Sequence, residues 1–194
     1  MDTIESEKRK KIFKAAAHKF SHQGVDGATM QEIADAAGVG KGTLYRYFDD
    51  KADLISSLAE IGFDRIAKKI ETGIKGVDDP KEQLEKAVEI QLKFYNQYRD
   101  VCRFLTRESL GYKDKFERQI KRIRKGYTVA IEDIIARGIE KGEFKDIDLE
   151  VAATNLIGAL NITVLHWFMF KDEFPVEKLR KGILEVYFEG IKAE

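Results

Sequence analysis

Gly38-Val39-Gly40-Lys41-Gly42-Thr43-Leu44-Tyr45-Arg46-Tyr47-Phe48 decides the fold. It follows a short helical segment, Met30-Gln31-Glu32-Ile33-Ala34-Asp35-Ala36-Ala37. A helix, a glycine turn and a second helix of hydroxyls, rings and cations make a helix-turn-helix, whose second helix enters the DNA major groove. Thr29 is placed to cap the first of these helices, with Glu32 three residues on as its capping-box partner, and Gly38 closes it as a left-handed residue.

The recognition helix starts near Gly40 or Lys41. Glycine at position 42 costs helix propensity, roughly 1 kcal/mol relative to alanine. Two readings account for it: a bare approach to DNA, or close packing on the first helix of the domain. Lys41 and Thr43 project from the first turn, where such helices meet base edges; lysine donates to guanine, and threonine bonds a base or packs on a thymine methyl. Leu44 and Phe48, one turn apart, supply the core face, so Tyr45 and Tyr47 are freed to reach phosphates with their hydroxyls. Arg46 fits a base, a phosphate or plain solvent. One such motif reads too few bases, so two copies roughly 34–36 Å apart are required, and the protein is expected to dimerise.

Charge is consistent with this. The chain has no net formal charge, yet Lys8 to Phe48 carries eight cations, Lys8, Arg9, Lys10, Lys11, Lys14, Lys19, Lys41 and Arg46, against Asp26, Glu32 and Asp35. Basic charge is therefore local to the reading head. A single cysteine, Cys102, excludes an internal disulfide and cysteine-rich metal sites. The charged N-terminus has no apolar run, so a cytoplasmic location is expected. Val151 to Phe170 has no Asp, Glu, Lys or Arg, but Asn155, Asn161 and His166 interrupt it, and it reads as a core helix, not a membrane span. Cys102 and His166 lack a third orienting group for nucleophilic catalysis, and no glycine-rich phosphate loop appears. His18 and His22, one turn apart, read as a solvent face. No enzyme activity, metal or cofactor is expected.

With two prolines, Pro80 and Pro175, and no useful strand-like alternation, the chain reads as all-α. Helices are expected over about 5–21, 30–37, 41–48 and from Asp50 to Gly73 or Gly76. Others follow from Pro80 with Leu84, Ala87, Val88, Gln91, Leu92 and Tyr95 in register, over 101–110, over 114–141, over 148–170 and after Pro175. The last places Leu179, Ile183, Val186, Tyr187 and Ile191 on one side. The uncharged helix has too much apolar surface for one neighbour, which makes the last two helices the expected dimer interface.

The fixed pattern Ile12-Phe13-Lys14-Ala15-Ala16, Phe20, Gly24, Ala28-Thr29, Ile33-Ala34, Ala37-Gly38-Val39, Gly42 to Phe48, Lys51 and Leu54 resembles the TetR family of bacterial transcriptional regulators. The resemblance implies an N-terminal three-helix DNA-binding domain, residues 1–50, and a C-terminal helical ligand-binding and dimerisation domain, residues 51–194, with roughly nine helices. It adds Thr29 and Lys51 as clamps on the DNA backbone. It implies a repressor released from a palindromic operator by a small hydrophobic effector held among the central helices. Phe63, Leu92, Tyr95, Leu105, Tyr127, Asn161, His166 and Trp167 are the candidates there. Asn161 and His166 fit either that pocket or the dimer seam. More distantly, Arg107-Glu108 through Gly126-Tyr127 and Gly138-Ile139-Glu140-Lys141-Gly142-Glu143 are similar to the fatty-acid-metabolism repressors that sense acyl-CoA, for which Arg103, Arg107, Arg118 and Arg122 could meet an anionic head group. The alternative is a constitutive DNA-binding dimer without effector.

Overall fold

A computed structural model describes residues 2–99, 102 and 115–191. Eight helices appear among them: α1 (Asp2–Gly27), α2 (Met30–Ala37), α3 (Lys41–Tyr47), α4 (Lys51–Gly73), α5 (Pro80–Gln97), α6 (Lys115–Glu140), α7 (Leu149–Phe170) and α8 (Val176–Ile191). The helix expected over 101–110 lies outside the described residues. Two compact units form: Met1–Gly62 with Tyr98–Gln119, and Phe63–Gln97 with Ile120–Glu194. Compactness therefore divides the chain inside α4, whereas the division at residue 50 separates expected functions.

The first unit is organised by α1 to α3. The helical register of α1 puts Ile12, Ala16 and Phe20 on one face, all fully buried, and α1 continues past the expected end at Ser21 with a bend at Gly24. Ile33 and Ala34 of α2, Leu44 of α3, Phe48, and Leu54 and Ile55 of α4 close the same core. The capping box at the head of α2 forms as the sequence requires. Glu32 N–H donates to Thr29 Oγ1 at 3.2 Å, while Thr29 N–H and Oγ1 donate to Glu32 Oε2 at 2.8 and 2.7 Å. Those bonds hold the Glu32 carboxyl below its ordinary pKa. At the other end Gly38 takes φ 65°, ψ 35°, and the N–H groups of Gly38 and Val39 satisfy the carbonyls of Asp35 and Ala34. A side chain would be strained there, so glycine is what allows the chain to reverse within three residues.

The second unit packs α5 against α7 and α8, and α7 against α8. Leu84, Ala87, Val88 and Leu92 of α5, Ile131, Ile134 and Ile135 of α6, Ala153, Leu156 and Leu160 of α7, and Leu179 and Leu184 of α8 are all buried. Asp148 caps α7 through its side chain, accepting from Val151 N–H at 2.8 Å. Tyr187 of α8 donates to the carbonyl of Ala152 at 3.0 Å. Val186 departs from the expected register: it is 78% exposed, just outside the buried arc that carries Leu179, Ile183, Leu184, Tyr187 and Ile191.

By length and composition α7 could cross a membrane, but its buried side forms part of the second unit's core. Asn155, Asn161 and His166 are all exposed, so the desolvation that would make them anomalous in a core does not arise.

The end of α6 depends on a close approach. A side chain at Gly138 would collide with the ring of buried Phe144, which itself stacks near Phe188 at 6.3 Å between centroids. Gly138→Ala is expected to lower stability by about 1–3 kcal/mol in a denaturant titration, because the ring must leave its site. An unchanged midpoint would show that the ring has room to move.

Candidate functional site

The recognition helix α3 is seven residues long and has no side-chain cap; Gly40 is its N-cap. A helix this short is not stable alone. It is held by Leu44, fully buried, and by Phe48, 2% exposed, packed in the core of the first unit. Those two residues orient everything else on it. Lys41, Gly42, Tyr45 and Arg46 are exposed, and Thr43 is half-buried beside them.

Gly42 settles one of the sequence alternatives. A methyl group built on it would meet nothing within 4 Å, so the protein's own packing does not require glycine there. Its absent side chain leaves the tip bare toward the outside. The structure also separates the two tyrosines. Tyr45 is 43% exposed with its ring on the surface. Tyr47 is half-buried and packs against the core, and its hydroxyl is buried with no hydrogen-bond partner among the described residues. That position does not present the hydroxyl to a phosphate, contrary to the sequence expectation. The Arg46 guanidinium lies over the Tyr47 ring, 5.4 Å from its centroid, so it shields this aromatic from solvent.

Thr29 and Lys51 both have internal duties. Thr29 is the cap of α2, as above. Lys51 Nζ donates to the carbonyls of Val25 at 2.8 Å and Ala28 at 3.1 Å. These carbonyls follow the bend in α1, where a cation is favoured at a helix C-terminus. Lys51 thus ties the first turn of α4 to the loop that precedes α2. Sequence reasoning assigned it to DNA and missed this bond, because the contact spans 26 positions. Around this head Lys8, Arg9, Lys10, Lys11 and Lys14 are exposed along α1, with Lys10 paired to Glu7 at 2.9 Å and Arg9 over the Phe13 ring.

In the second unit the candidate ligand residues divide. Leu92, Tyr95 and Tyr127 are buried, and Asn161 and His166 are exposed. His166 therefore does not sit in an interior pocket; its ring lies 5.1 Å from Phe170 and 5.4 Å from half-buried Trp167. Leu105 and the side chains of Phe63, Arg103, Arg107, Arg118 and Arg122 lie outside the described residues. Gln91, in register on α5 but not assigned to the site from sequence, joins three of the candidates. Tyr127 donates to Gln91 Oε1, Gln91 Nε2 donates to Tyr95 Oη at 2.7 Å, and Tyr95 donates to Asn161 Oδ1 at 2.6 Å. Burial, and then the neighbouring Tyr95, hold the Tyr127 hydroxyl well above its ordinary pKa, so it stays a neutral donor. A second glutamine, Gln83, accepts from Arg137 Nε at 3.2 Å and Nη2 at 2.8 Å and so links α5 to α6. An open cleft in this unit lies elsewhere. It measures about 380 Å³ and is lined by Lys81, Glu85, Arg180, Leu184 and Phe188 among others, none of them a candidate ligand residue. Cys102 is buried and its thiol is pushed up to about 12, which keeps it protonated and unreactive.

Residues 12–58 match the family described as bacterial regulatory proteins, tetR family, and residues 77–191 match the tetracyclin repressor-like C-terminal domain. The chain belongs to the TetR family. The fatty acid metabolism regulator protein of Bacillus subtilis is 26% identical over 181 residues, which cover 93% of each chain. The solved structure of the fatty acid degradation regulator FadR from Bacillus halodurans superposes with a TM-score of 0.79 at 26% identity, covering 94% of this chain and 99% of that one. FadR from Bacillus subtilis, solved in complex with stearoyl-CoA, gives 0.79 at 27% identity over 93% and 98%. As a member of the TetR family the protein is a DNA-binding transcriptional regulator and not an enzyme.

Gly42→Ala should separate folding from DNA binding in this TetR-family head. Stability is expected to rise by roughly 0.5–1 kcal/mol from helix propensity, while affinity for duplex DNA falls because the added methyl meets the groove. A variant that gains stability and keeps its affinity would show that the tip does not touch DNA. Tyr47→Phe, which deletes a buried hydroxyl lacking a partner, is expected to leave the thermal midpoint unchanged or raise it.

Proposed function

We propose that this regulator is a dimeric repressor released from a palindromic operator by a long-chain acyl-CoA. Residues 1–50 read DNA and residues 51–194 hold the effector and the dimer contact. Lys41 and Thr43 meet base edges. Thr29, Tyr45, Arg46, Tyr47 and Lys51 border the phosphates, with Gly42 giving the backbone close access. For Tyr47 this requires the ring to swing out of the packing described above. For Lys51 it uses the ammonium proton that its two carbonyl partners leave over. The protein works in the cytoplasm, where its DNA lies.

The observation that carries the effector class is the relative with stearoyl-CoA bound, which this chain matches over nearly the whole of both lengths. The interior of the second unit agrees in character: apolar helices with a few convergent polar groups at Tyr95, Gln91 and Tyr127. Leu92, Tyr95 and Tyr127 are closed to solvent, so an acyl chain enters by selecting an opened form of these helices. A coupling of roughly 1–3 kcal/mol between the two sites is enough for regulation.

Dimerisation rests on two supports. A reading head of one short helix needs a second copy to reach an adjacent groove. The last two helices expose Val151, Ile162, Met169 and Phe170 of α7 and Val186 of α8, at 53, 67, 59, 64 and 78%. Spacings of eleven and seven keep Val151, Ile162 and Met169 on one stripe, and a two-fold contact would cover it with its own copy.

A constitutive DNA-binding dimer is the alternative, and the tight packing around Tyr127 favours it. One titration decides between them. With a duplex selected from a random-sequence library, stearoyl-CoA is expected to weaken binding at least tenfold, roughly the 1.4 kcal/mol expected of such a coupling, and coenzyme A alone is expected to have no effect. Identical binding curves with and without stearoyl-CoA would favour the constitutive reading.

A further inference from the structure

His18 and His22 of α1 belong neither to the DNA-facing residues nor to the effector residues assigned above. Both are exposed, as the solvent face expected from their spacing requires. Each lies two positions from fully buried Phe20, and two residues turn an α-helix by about 200°. The pair therefore points away from the core of the first unit, and packing does not require an imidazole at either position.

The two rings are nevertheless ordered against each other. They stack with centroids 4.2 Å apart and planes inclined by 22°. Side chains on a helix lean toward its N-terminus, which lays His22 over the turn that carries His18. His22 Nδ1 lies 2.8 Å from the His18 carbonyl oxygen. That oxygen only accepts, so in the neutral ring Nδ1 carries the proton and donates it. Ser21 Oγ, 3.1 Å from the same nitrogen, donates to the same carbonyl at 2.9 Å. Nε2 of His22 is thus left with its lone pair, in a ring whose tautomer and orientation a backbone carbonyl fixes. Metal-bound histidines commonly have this support.

We propose that His18 and His22 form a binding site for a divalent late first-row transition ion. Two imidazole nitrogens bonded to one ion at right angles, each roughly 2.0–2.1 Å from it, stand about 3 Å apart. Rings with centres 4.2 Å apart reach that spacing by tilting their outer edges together, with the helix unchanged. Two adjacent imidazole donors with the other positions open to water suit the tetragonal preference of Cu2+ and Ni2+. No cluster of three or more His, Cys, Asp or Glu occurs among the described residues, so water completes the coordination. Lys14, exposed one turn before His18 on the same face, opposes a further cation. Two protein ligands and that charge make the site a reversible one. A bound ion clips two successive turns of α1 just ahead of the bend at Gly24.

The test is calorimetric titration of the untagged full-length protein with Ni2+ near neutral pH. Ni2+ is the probe because it does not oxidise the chain's single thiol. Saturable binding of a single ion per chain is expected. His18→Ala and His22→Ala are each expected to weaken it roughly tenfold or more, since each removes one arm of a chelate and with it the high effective concentration of the other. Both positions are exposed and alanine favours the helix, so circular dichroism is expected to be unchanged in both variants. His166→Ala removes the remaining histidine and is the control, with an affinity expected to stay within about twofold of the unsubstituted protein. An unsubstituted protein that takes up no Ni2+ overturns the inference. So does a loss smaller than about tenfold from either substitution in α1, which would show that the two rings do not act as one chelate. A loss from His166→Ala equal to theirs would place the ion elsewhere and overturn it as well.

Discussion

The burial of Leu44 and Phe48 against Ile12, Phe20 and Ile33 is the constraint on which the reading head depends. Seven residues cannot hold a helix in water by their own hydrogen bonds. These two side chains, one turn apart, fasten α3 to the core built by α1, α2 and α4. Once they are fixed, helical geometry leaves Lys41, Gly42, Tyr45 and Arg46 outward. The left-handed Gly38 and the capping box at Thr29 serve the same end, since they set where α2 stops and therefore the angle at which α3 departs. Lys51 adds a tie of a different kind. It neutralises carbonyls left over at the bend in α1 with a side chain from the next helix but two.

The second unit solves a different problem. Its core is apolar, yet it contains two buried glutamines and two buried tyrosines on α5 and α6. Each lost donor or acceptor there would cost more than an equivalent loss at the surface. The structure satisfies them by linking them into chains that cross between helices, Gln83 to Arg137 and Tyr127 through Gln91 and Tyr95 to Asn161. Apolar packing alone would let these helices slide in small steps; directional bonds restrict them to a few arrangements. An effector domain needs that property, because a regulatory response is a choice between discrete states.

Much of this was legible from the sequence because it is local. The helix-turn-helix, the cap at Thr29, the left-handed turn at Gly38 and the buried register of α5 all follow from spacings of a few residues. What the sequence did not show depends on distant contacts. The bonds from Lys51 to the carbonyls of Val25 and Ala28 were hidden because those partners lie 26 and 23 positions away. Tyr47 looked outward because Leu44 and Phe48 seemed sufficient to fill the core. Val186 fell just outside the buried arc, a difference too small for a helical wheel to resolve. Gln91 was seen in register but not as a link, since its partners lie on α6 and on its own helix one turn away. The apolar run of α7 gave no warning that Asn155, Asn161 and His166 are exposed.

The open space around Gly42 has a consequence for descent. Residues at the tip of α3 contribute almost nothing to holding the molecule together, whereas Leu44 and Phe48 hold nearly all of α3 in place. Replacement at the tip can therefore alter the outer surface of this helix without endangering its architecture. Over many generations that surface can drift while the scaffold beneath it stays put.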